Sequence, residues 1–116
     1  MVDVWTAQYS YRGPDRVDIT TRKTHVHGQW FAPIWGTIVA PYRKGVIDEA
    51  EYTERYMKHM KLSIQFHWEA WEWVLMQPQV TLVCFCKSGA FCHRRILVEQ
   101  LLVKRWFDAT DKGERR

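Results

Sequence analysis

Between Pro78 and Lys87 lies "VTLVCFC", residues 80–86, a nearly unbroken run of apolar and β-branched side chains. Side chains alternate across a strand, so a run that is apolar at every position must be covered on both faces. A sheet sandwiched between helices offers that cover. The run is followed by a short glycine-containing loop and then by "CHRRILVEQLLVKRWF", residues 92–107, in which Ile96, Leu97 and Leu101 recur at helical spacing. A buried strand, a short loop and a helix in that order predict an α/β fold: a small, mostly parallel sheet flanked by helices in a Rossmann-like three-layer arrangement.

The remainder is consistent with one domain over residues 1–116, with residues 110–116 expected to be a flexible tail. "VDVWTAQY", residues 2–9, reads as a first strand, "RGPD" as a turn and "RVDIT", residues 16–20, as a short second strand. Residues 21–36 have no period and read as a long loop; "TIVAPY", residues 37–42, fits a strand or a bent helix start. From Asp48 the pattern is plainly helical. Asp48 and Glu51 stand in a capping-box arrangement, and Tyr52, Tyr56, Met60 and Ser63 follow on one stripe. A second helix or a continuation, residues 65–76, is stopped by Pro78 and places Trp68, Trp71 and Leu75 on one face.

Three cysteines, an odd number, do not suit a disulfide scaffold, and no basic leader opens the chain, so a reducing cytoplasmic setting is expected. No apolar run is long enough for a membrane span. A net charge of +4 permits an anionic partner without demanding a nucleic acid, and sequence-specific nucleic-acid binding is not expected. Seven Trp leave room for both a core and a stacking surface, and the Trp-rich segment 65–76 suits a homodimer face.

All three cysteines fall in "CFCKSGAFCHRR", residues 84–95. Continued strand geometry would point Cys84 and Cys86 to the same face at the strand's C-terminal end, where α/β sheets place ligand crevices. Cys92 and His93 follow at the helix start. Zinc can be held by such a Cys3His set, although the spacing is not that of a paired knuckle. Alternatively Cys92, at a helix N-terminus beside cations, is the candidate thiolate nucleophile, with His93 as its base or acid. A third reading rests on His93, Arg94 and Arg95 in a first turn, where the helix dipole disfavours cations. A bound phosphate would offset that, held by Arg94 and Arg95 and by a loop that Ser88 and Gly89 bring close. Cys84 and Cys86 would floor the same pocket. The cysteines also suit plain burial. Asp18 could orient His93, take a ribose hydroxyl, pair with Arg94, or simply lie at a sheet edge. Thr20, Lys23 and Trp35 would complete the walls, Trp35 by stacking on a base. His25 and His27 read as loop residues, and His59 and His67 as helix flanks.

"VTLVCFCKSGAFCHRRILVEQLL", preceded by "EYTERYMKHM", resembles the domain-of-unknown-function family DUF488 of bacteria and their phages. The resemblance implies an α/β fold with a site near Cys84, Cys92, His93 and Arg94, with Asp18 as the family's early-strand Asp. It also implies a Glu in many relatives where this chain has Cys86. It names no reaction. The expected function is binding of an anionic nucleotide or nucleotide-derived small molecule, with no resident cofactor. Sequestration of a host-defence nucleotide signal by a phage protein is the setting the resemblance suggests. The alternatives are a thiol- or His-dependent enzyme on a nucleotide or nucleic acid, and a structural Cys/His zinc site.

Overall fold

The computed structural model describes residues 1–87, 90–103 and 107–115. Strand β1 (Val2–Gln8) buries Val2 and Val4 on alternate positions, and both Thr6 and Ala7 are covered as well. Strand β2 (Arg16–Asp18) is short, and β3 (Gln79–Cys84) is buried from Val80 to its end. With β4 (Ala109–Glu114) they form a four-stranded, wholly parallel sheet in the order β2-β3-β1-β4. Helices cover it in a three-layer α/β arrangement, as the doubly apolar β3 requires.

β3 therefore lies at the centre, between β1 and β2, and its covering explains why its sequence carries no polar alternation. It ends at Cys84, level with Gln8 of β1, so Phe85 and Cys86 belong to a bend rather than to the strand. Residues 110–115 are not a flexible tail. Residues 109–114 pair with β1, with a register shift between Val4 and Trp5, and Gly113 takes a φ of 86° there. Arg116 lies outside the described residues.

The unpatterned stretch after β2 holds a 3-10 turn (Gly28–Phe31). A wide π turn (Trp35–Val39) then runs directly into α1 (Ala40–Arg43), so the segment is a bent helix. The cap of α2 (Glu49–Phe66) is as its sequence implies: the Asp48 carboxylate accepts a hydrogen bond from the Glu51 amide at 2.9 Å. Tyr52, Tyr56, Met60 and Ser63 form its buried stripe. His67 breaks the helix, and α3 (Trp68–Met76) follows. Within α3 the core face is Ala70, Trp71 and Val74, while Trp68 is 41% exposed, so the stripe drawn through Trp68 and Leu75 is rotated from the true one. Trp71 Nε1 donates to Ser63 Oγ, which donates to the Trp30 carbonyl, so one hydroxyl joins both helices to the loop. The last helix opens as α4 (His93–Ile96) and widens into a π turn over Leu97–Leu102. Lys104, Arg105 and Trp106, expected to continue it, lie outside the described residues.

Candidate active site

A cavity of about 400 Å³ opens at the C-terminal ends of β2 and β3. β3 delivers Cys84, the bend after it Phe85 and Cys86, and the start of α4 Cys92 and His93; the segment after β2 brings Thr20 and Thr21. The bent helix adds Trp35, Tyr42 and Arg43, and α2 adds Tyr52. Phe91 packs edge-on to Tyr52, with ring centroids 5.2 Å apart, and tilts against Tyr42 at 5.4 Å. The walls are thus aromatic, which suits a planar ligand.

The three cysteine sulfurs lie within 4.8 Å of one another, so the group could hold a metal ion. Cys84 Sγ is 2.7 Å from Cys92 Sγ, and both residues are buried, whereas Cys86 is half-buried at the cavity. Charge is shared unequally among them. The hydrogen bonds that Cys84 and Cys92 direct to Cys86 hold its thiol far below the ordinary value, and nearby Arg94 adds to the effect. The same bonding pushes Cys84 up to about 12, chiefly through its contact with Cys86. Cys92 is raised strongly, first by its contact with Cys84, then by Cys86 and by burial. Within the cluster, negative charge is thus favoured on Cys86 over Cys84 and Cys92.

For Cys92, the expected thiolate, the neighbouring sulfurs and burial disfavour the charge. A helix N-terminus beside cations favours a thiolate only where the sulfur faces the field and some water. Cys92 is 2% exposed and stands against two other sulfurs. His93 is also buried, and burial lowers it to about 4, so the ring is neutral near pH 7. Its Nε2 lies 2.7 Å from the Ile19 carbonyl and must carry the proton there, which leaves Nδ1 unprotonated, 3.5 Å from Cys92 Sγ. A backbone carbonyl, not an acid, orients this histidine.

Arg94 and Arg95 do not reach the cavity. Arg94 is fully buried and donates to the Ala7 carbonyl at 2.7 Å, to the Lys87 carbonyl at 3.2 Å and to Glu114 at 2.9 Å. The local cost of cations in a first turn is offset by the protein's own acceptors, so no phosphate is needed. Arg95 bonds Glu99 and Asp111 at the surface. Ser88 and Gly89 lie outside the described residues.

Asp18 is neither an exposed edge residue nor a partner of Arg94. It is 1% exposed, and it accepts from the Thr20 amide at 2.8 Å, from the Tyr9 hydroxyl at 3.3 Å and from the Thr24 hydroxyl. Burial pushes its carboxyl up, but the bonds from Thr20 and Thr24 prevail and leave it below its ordinary value. Its work is to fold the turn that brings Thr20 to the cavity. Thr20 and Trp35 line this cavity as expected, whereas Lys23 lines a neighbouring one. His25 accepts the His27 and Gly28 amides on Nδ1, and His27 stacks on Trp73 at 4.6 Å, so this pair is structural.

Sequence reasoning missed Arg43, Tyr42, Tyr52 and Phe91. Arg43 matters most: it is the one arginine or lysine among the described residues lining the cavity, and its guanidinium lies 5.4 Å from the centre of the Trp35 ring. The signal was the length of the unpatterned segment, which marked the region but not its residues.

The family model described as the active DUF488-N3 subclade matches residues 2–105. No curated protein and no solved structure matches the chain significantly.

Proposed function

We propose, for a chain that belongs to the DUF488 family, that its cysteine-floored cavity binds an anionic, nucleotide-derived small molecule and that Cys86 attacks it as a thiolate. One observation carries the reading: three cysteine sulfurs gather within 4.8 Å of one another at the cavity, and Cys86 alone of the three is not fully buried, with hydrogen bonding from the other two favouring its thiolate. A thiol in that state is a nucleophile without needing a base to deprotonate it. The aromatic walls suit a base, a volume of about 400 Å³ suits a nucleotide-sized ligand, and Arg43 supplies the cation at the wall. The family description as active agrees with chemistry rather than binding alone.

In the step proposed, Cys86 Sγ supplies the electron pair of a new bond to an electrophilic carbon of the ligand. The leaving group departs with the pair of the broken bond and takes a proton from water in the cavity. The hydroxide so formed then attacks the same carbon, and the sulfur leaves with the electron pair of its bond, which restores the thiolate. Neutral His93 closes the cavity beside Cys92, and Cys84 and Cys92 together favour the charge on Cys86.

The test uses AMP as the first probe and a panel of nucleotides after it. Saturating nucleotide is expected to protect Cys86 from iodoacetamide, Arg43→Ala to weaken that protection by about tenfold, and Cys86→Ser to bind while forming no adduct or product. A sequestering protein would show the same protection but no product from any nucleotide with the unaltered chain. Alkylation of Cys86 at one rate with and without every nucleotide tried would overturn the reading.

A second reading has its own support in the sulfur cluster, whose spread of at most 4.8 Å suits three thiolates on one soft metal such as zinc. Native mass spectrometry of protein purified without chelator distinguishes them. A zinc-sized excess lost on denaturation would make Cys84, Cys86 and Cys92 ligands and remove Cys86 as a free nucleophile.

A further inference from the structure

A second cavity, of about 370 Å³, adjoins the first and shares with it the wall made by Thr21, Pro33 and Trp35. Its surface is strongly apolar. Ile34, Trp35, Leu62 and Phe66 all line it and are 43%, 52%, 53% and 65% exposed, which gathers much of the chain's exposed apolar surface in one place. On its floor the Trp30 and His67 rings stack with centroids 3.5 Å apart and planes within 8°. Lys23 lines it with a φ of 57°, a left-handed conformation that residues with side chains seldom adopt. Among the described residues, no carboxylate lines either cavity, while each has a cation: Arg43 in the first and Lys23 in the second.

We infer that the two cavities are halves of one site and that its ligand is a dinucleotide. One base would lie among the aromatic walls beside Cys86, and the other on the apolar side next to Trp30. The linking phosphate would cross the shared wall between the two cations. This rests on the nucleotide reading above and adds its substrate class. A mononucleotide would fill one cavity and leave the exposed apolar surface of the other in water, so joining two nucleotides makes the second contact intramolecular.

The test compares AMP with the linear dinucleotide pApA, reading the concentration of each that half-protects Cys86 from iodoacetamide. pApA is expected to protect at a concentration lower by about tenfold or more. Lys23→Gln and Phe66→Ser should each shrink that advantage while leaving the AMP value unchanged. Both side chains are exposed, so neither change touches the core. Equal half-protecting concentrations, or an advantage that survives both substitutions, would overturn the inference and leave the mononucleotide reading standing. Protection by neither ligand would overturn both. A dimer by light scattering that Phe66→Ser dissociates, with no pApA advantage, would assign the apolar surface to a second copy of the chain instead.

Discussion

Arg94 and Arg43 carry the same charge and have opposite roles, and burial is what separates them. Arg94 is sealed against Ala7, Lys87 and Glu114, so neutralising Glu114 leaves a buried cation with two carbonyl acceptors but without this ion-pair partner. Glu114→Gln is expected to lower the free energy of unfolding by roughly 3 kcal/mol in urea titrations, with protection of Cys86 by AMP unaltered. Arg43→Ala should do the reverse, leaving the urea midpoint in place and weakening protection. Cys84→Ala removes a hydrogen-bond donor to Cys86, so the alkylation rate of Cys86 should become pH-dependent near neutrality. An unchanged, flat profile would show that Cys84 has no part in holding the charge. The sequence brought the cysteines and His93 to one place, because strand, loop and helix must meet there. It assigned the reactive thiol to Cys92 and the ligand cation to Arg94, since order along the chain says nothing of depth. All three cysteines line the cavity, and Cys86, beyond the end of β3, is the one that is not fully buried.

At the scale of elements, the segment between β2 and α2 shapes both cavities, and its anchor is local. Asp18 gathers Thr20, Thr24 and Tyr9, and Gly28 passes so close to the Asp18 backbone that a Cβ there would collide with its carbonyl. Gly28→Ala must therefore displace backbone rather than a flexible side chain. It is expected to cost about 2 kcal/mol of stability and to loosen nucleotide protection as well, whereas Gly36→Ala, which meets open space, should change neither. The legible elements were those with a physical pattern: β3 by its two-sided burial, and α2 by its cap and its Tyr52, Tyr56 and Met60 stripe. β4 was illegible for a matching reason. "ATDKGE" is a mostly polar edge strand held by hydrogen bonds to β1 and by the side-chain pairs of Glu114 and Asp111 to α4 and Arg95, none of which leaves a period in the sequence.

At the scale of the whole molecule, the buried site couples folding to pH. His93 titrates near 4 when folded, because burial disfavours its charged form, against an ordinary value of 6.5. Between those values the unfolded chain binds the extra proton, so the contribution of His93 is fully present above the ordinary value and is lost as pH drops from there towards 4. The loss is on the order of 3 kcal/mol. Urea midpoints measured from neutrality downward should show that decline, and His93→Gln, which retains an N–H for the Ile19 carbonyl, should make it shallower below about pH 6.5, leaving the slope that the Cys86 thiolate contributes. No helix among the described residues is long and apolar enough to cross a membrane. The account as a whole depends on one charge at one sulfur, and the most direct measurement is the rate of iodoacetamide alkylation at each cysteine as a function of pH, resolved by peptide mass. Cys86 should be modified first, at a rate nearly constant between about pH 5 and about pH 9. Prior modification of Cys92 or Cys84, or a Cys86 rate rising about tenfold per pH unit as for an ordinary thiol, would contradict it.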